Sequence, residues 1–122
     1  MRIAPFALLV ALAGCATPWR AERPGKIGFD LSAIDADGLE GPPDGKRAVD
    51  YEFCVPAGDG YVAEVRVIDP SAQALPGSRG RIGCRPGQVL VMGHTHRPGW
   101  RQSLERLTVL RYVRKIEKAV YE

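Results

Sequence analysis

The feature that most constrains this chain is the apolar run Leu8-Leu9-Val10-Ala11-Leu12-Ala13, preceded by Met1-Arg2 and closed by Gly14-Cys15. A permanent bilayer-spanning helix needs about 20 apolar residues, and this run is too brief for one. A short basic segment, an apolar core and small residues at its end make up a secretory signal peptide. The body of the protein is therefore expected outside the cytoplasm, with residues 1–14 removed. The 108 residues that remain are enough for one small domain and a tether, which excludes a large enzyme.

Leu12-Ala13-Gly14-Cys15 resembles the lipobox of bacterial lipoproteins, in which small residues precede the cysteine at the cleavage site. The resemblance implies that Cys15 is diacylated on its thiol and that the new amino terminus is acylated. At roughly 0.8 kcal/mol per buried methylene, more than one acyl chain makes such an anchor effectively stable. Ala16 stands where an aspartate would favour the inner membrane in enterobacterial lipoproteins, so the resemblance implies an outer membrane where the cell has one. Residues 15–25, with Pro18, Pro24 and Gly25 and no apolar periodicity, read as the tether. Residues 26–122 read as a globular domain, and 45% apolar with 25% charged content is ordinary for one.

With Cys15 acylated, Cys54 and Cys84 are left in an oxidising compartment and are expected to form a disulfide. Closing that loop should add roughly 3 kcal/mol in the chain-entropy model. Their wide separation argues against a redox pair, which usually has Cys-x-x-Cys spacing.

Charge is divided along the chain. Residues 26–69 carry ten acids against four bases, and residues 70–122 carry ten bases against three acids. Internal pairing of the two halves is the favoured explanation, and orientation over an anionic surface the other.

Several segments show their periodicity. Residues 26–31 alternate as a short strand would, and residues 35–46, rich in Asp, Gly and Pro, read as loop. Their spaced acids fall short of a calcium-loop pattern. In residues 48–55, Val49, Tyr51, Phe53 and Val55 share one strand face while Asp50, Glu52 and Cys54 share the other. Residues 59–69 fit both a hairpin strand and a helix capped by Asp59 and ended before Pro70; the helix is chosen. Residues 88–92 form an apolar strand. A helix begins near Trp100 on the stripe Trp100, Leu104, Leu107, Leu110, and either continues or yields to a final strand. With the strand, the expectation is an α+β domain, a small antiparallel sheet with two helices in ferredoxin-like βαββαβ order. The alternative is a sheet covered by one long C-terminal helix.

Three groups of residues invite functional readings. In residues 76–87 the amides of a Gly-Ser-Arg-Gly-Arg segment, helped by Arg79 and Arg81, could hold a phosphate or carboxylate. Val89 to Pro98 resembles the last motif of calcineurin-like metallophosphoesterases, where a strand ends in Gly-His-Thr-His. That family's two-metal centre needs further histidines and aspartates on other loops, and His94 and His96 are the only histidines in this chain, so the resemblance stops at those two residues. As a reduced version, His94 and His96 could take zinc or copper with a carboxylate such as Asp50. The plainer reading makes Gly93–Pro98 a turn in which Thr95 or His96 ties down backbone groups. Ser32, Ser71, Ser78 and Ser103 lack a nucleophile setting.

The expectation is thus a non-enzymatic, lipid-anchored envelope domain that binds or scaffolds at a membrane surface, with no resident cofactor. Its partners would be the membrane and an envelope protein, with no nucleic acid. A metal- or anion-binding lipoprotein is the second reading and a hydrolase the third.

Overall fold

The alternation around Tyr51 sets the architecture. The computed structural model describes residues 23–120. The expected signal peptide, the expected acylation site Cys15 and most of the expected tether lie outside them. Tyr51, Phe53 and Val55 are fully buried on β3 (Asp50–Pro56), which runs at the centre of a four-stranded antiparallel sheet. Two short strands precede it, β1 (Leu39–Glu40) and β2 (Arg47–Ala48), paired as a separate hairpin. This corrects the reading of residues 35–46 as loop throughout: the Gly- and Pro-rich stretch is the turn of a hairpin whose first strand it contains.

After β3 come α1 (Asp59–Ile68), β4 (Gln73–Leu75), β5 (Gln88–His94), α2 (Trp100–Leu107) and β6 (Ile116–Lys118). From β3 onward the order is strand, helix, strand, strand, helix, strand, and the sheet order is β4-β5-β3-β6 with every pair antiparallel. The protein is α+β, and its second helix yields to a strand rather than continuing. Residues 26–31 are not a strand. They are flanked by 3-10 turns at Arg23–Lys26 and Leu31–Ala33, and Ile27 contributes a lone bridge to Ile116.

One row of paired residues, Ala74, Val91, Phe53 and Ile116, crosses the sheet and faces the helices. Val65 of α1 and Trp100, Leu104 and Leu107 of α2 close over it, forming one core. Fully burying such side chains contributes about 1.5–3 kcal/mol each. α1 stops where Pro70 forbids another helical residue before it. Its cap is Gly58, with Asp59 inside the first turn, so the expected Asp59 side-chain cap does not form. At the far end of α2, the Lys26 ammonium donates to the carbonyls of Thr108 at 2.9 Å and Leu110 at 3.2 Å, supplying partners that a helix C-terminus lacks.

Residues 76–87 pack on the opposite sheet face, where Gly80 lies against Glu52 and Leu90. The disulfide Cys54–Cys84, with Cα atoms 5.6 Å apart, pins this loop to β3. Among the described residues, no helix is long and apolar enough to cross a membrane.

Candidate functional site

The expected histidine motif falls at the end of β5, where the chain turns toward α2. Thr95 is buried there; its hydroxyl donates to the Gly38 carbonyl at 2.6 Å and accepts the Val49 amide at 3.0 Å. Thr95 therefore ties the β1–β2 hairpin to the sheet, as the turn reading requires. The His96 amide donates to His94 Nδ1 at 3.2 Å, which leaves Nε2 as the free ring nitrogen of His94. Strand register places Asp50 directly across from His94, a proximity sequence could not supply. Among the described residues, however, no group of three or more His, Cys, Asp or Glu side chains is placed to hold a metal ion.

The main polar centre lies beneath this turn, and sequence reasoning missed it. Asp69, just past α1, is wholly buried and pairs with Arg97 at 2.7 Å. Its Oδ1 also accepts the Ser71 hydroxyl at 2.7 Å and the Ser71 amide at 2.9 Å, and its Oδ2 accepts the Tyr51 hydroxyl at 2.5 Å. Arg97 reaches further, to the Tyr51 oxygen at 3.3 Å and the Ser103 hydroxyl at 3.2 Å, and Ser103 donates on to the Ile68 carbonyl at 3.0 Å. β3, α1, the turn after β5 and α2 are thus joined through one charged cluster. Burial, reinforced by the adjacent Asp69 carboxylate, pushes the Tyr51 phenol well above its ordinary value and keeps it a neutral donor.

Room for the cluster comes from Gly93, which faces Tyr51 across the sheet. A Cβ there would lie 2.7 Å from the Tyr51 oxygen and 2.8 Å from Asp69 Oδ2. The sequence signal that could have pointed here is Tyr51 itself, because a phenol on the core face of a strand must find a hydrogen-bond partner.

The basic loop does meet a carboxylate, and it belongs to the same chain. Glu52 is 4% exposed, and it accepts the Ile82 amide at 2.8 Å. Gly80 packs so closely that a Cβ would lie 2.5 Å from Glu52 Oε1. Arg79 is turned into the loop, donating to the Cys84 carbonyl at 3.1 Å. Exposed Arg81 lines a cleft with Glu52, Lys115, Glu117 and Lys118. The expected anion cradle therefore spends its Ile82 amide and Arg79 on internal structure, and Glu52, on the strand face opposite Tyr51, is buried beneath the loop.

Compared with known proteins, the chain matches no family model, no curated protein and no solved structure.

Proposed function

We propose that this chain is a lipid-anchored cell-envelope protein whose ferredoxin-like body works by binding or scaffolding at the membrane surface. The observation that carries the reading is the Cys54–Cys84 bridge. It consumes both cysteines other than Cys15, as export to an oxidising compartment requires, and leaves Cys15 of the Leu-Ala-Gly-Cys segment as the one thiol for acylation. The buried charged cluster supports a structural rather than a chemical role. Both oxygens of Asp69 are engaged by Arg97, Ser71 and Tyr51, and these partners join elements of the fold.

Radiolabelled palmitate tests the anchor directly. The wild-type protein is expected to incorporate label and Cys15→Ala to incorporate none; equal labelling of the two overturns the reading. Thiol counting on the unreduced, exported protein should find neither Cys54 nor Cys84 reactive.

A further inference from the structure

We infer that the end of the body formed by residues 106–115 seats on an anionic phospholipid surface. The inference rests on the lipid-anchor reading and adds the face of the domain that meets the lipid. The tether joins the body at the 3-10 turn Arg23–Lys26. Lys26 holds the Thr108 and Leu110 carbonyls, and the Gly28 amide donates to the Ile116 carbonyl at 2.8 Å. The chain therefore arrives beside the end of α2 and the segment leading into β6. From Cys15 to Arg23 is eight residue steps, which span no more than about 29 Å. Acylation at Cys15 keeps this end of the body near the headgroups.

The chemistry of that end suits such a surface. Arg106, Arg111, Arg114 and Lys115 are exposed, and Val109 stands 54% exposed between them. Lys115 pairs with Glu117 at 2.8 Å, whereas Arg106, Arg111 and Arg114 form no ion pair with a described residue. Acids on the adjoining elements include Glu105, which is exposed, Glu64, which accepts the Tyr112 hydroxyl at 2.5 Å, and exposed Asp59 in the first turn of α1, whose Tyr61 packs on Tyr112. The acidic segment Asp35 to Asp44 lies at the other end of α2, where the Trp100 indole donates to the Ala36 carbonyl at 3.4 Å. An eight-residue helix separates the two poles by about 12 Å. Seating the arginine end on lipid turns the Asp35 to Asp44 segment away from it.

The test uses the acylated protein reconstituted into vesicles. With Cys15 acylated and Cys54–Cys84 bridged, Val109→Cys supplies the only free thiol, which is spin-labelled. In phosphatidylethanolamine/phosphatidylglycerol vesicles the label is expected to lose contact with a water-soluble nickel relaxant, and in phosphatidylcholine vesicles to keep it. Asp44→Cys, at the acidic pole, should stay accessible in both. Each base near an anionic surface contributes ~1 kcal/mol, or about fivefold, so Arg111→Gln/Arg114→Gln should lower the seated-to-free ratio about 25-fold. A Val109→Cys label equally accessible in the two vesicles, or equally protected in both, overturns the inference while an acyl group seen by mass spectrometry keeps the anchor reading intact. Absence of that acyl group overturns both.

Discussion

Replacing Arg97 by alanine tests whether the buried cluster holds the fold together. Asp69 is 0% exposed and the Arg97 side chain 13%, so the variant leaves a carboxylate buried with its cationic partner gone. Breaking a buried pair from one side costs about 3–5 kcal/mol. Three neutral donors from Tyr51 and Ser71 remain on Asp69, and water can follow the partly exposed path that Arg97 vacates. Both effects place the expected loss near the lower bound, about 3 kcal/mol. Against a total of about 5–15 kcal/mol for a domain of this kind, that is a large fraction. At about 4–8 °C per kcal/mol, Tm should fall by roughly 12–24 °C. Urea denaturation followed by circular dichroism measures it, with exposed Arg106→Ala as the control, expected within about 0.5 kcal/mol of wild type. Adding Asp69→Asn to Arg97→Ala should recover part of the loss, because the amide leaves no buried charge. A cost below about 1 kcal/mol, matching a surface pair, would refute the reasoning, and so would failure of Asp69→Asn to recover any of it.

Two further measurements bear on the same centre. Gly93→Ala forces a methyl against the Tyr51 hydroxyl and Asp69 Oδ2, both held in the cluster, and should cost about 1–3 kcal/mol by overpacking; a wild-type urea midpoint would show that the neighbours move aside. The alkaline limb of stability should carry the signature of Tyr51, raised first by burial and then by Asp69, and of Tyr112, raised by burial and Glu64. A phenol whose folded-state pKa is raised gives stabilisation that is whole below the unfolded value near 10 and is lost as pH climbs beyond it. Midpoints taken from pH 7 to 11.5 should therefore fall more steeply for wild type than for Tyr51→Phe, and identical slopes would show that Tyr51 ionises as freely in the folded protein as in the unfolded one.

The parts of this fold that were legible in the sequence are those in which local pattern and burial coincide. Val49, Tyr51, Phe53 and Val55 alternate and are all buried; Trp100, Leu104 and Leu107 recur at helical spacing and are all buried. Pro70 marks the end of α1, and cysteine counting finds the bridge. β4 was not legible, because three residues between Ala72 and Pro76 are too few to show a period. The alternation in residues 26–31 misled because the segment meets the sheet edge only at Ile27 and Gly28, both against Ile116. Pairing between distant residues was out of reach altogether: Asp69 and Arg97 are 28 positions apart, and Glu52 and Ile82 are 30.

Those distant pairs also explain what the division of charge along the chain accomplishes. Asp69 with Arg97, Glu40 with Lys118, and Glu52 with the Ile82 amide each join the acidic half to the basic half, and each fastens a different connection to the sheet. Asp69–Arg97 locks the helices, Glu40–Lys118 holds the hairpin against β6, and Glu52 secures the disulfide-bound loop over the back face. Asp69 and Glu40 are thereby matched by charges of the basic half, and Glu52 by a neutral amide of it. Arg106, Arg111 and Arg114 have no such counterpart among the described residues, and they lie near the end of the body that Lys26 joins through the Thr108 and Leu110 carbonyls. Internal neutralisation and an exposed positive pole are therefore not competing explanations of the same asymmetry: the first consumes part of the basic half, and the second is the part left without an ion pair among the described residues.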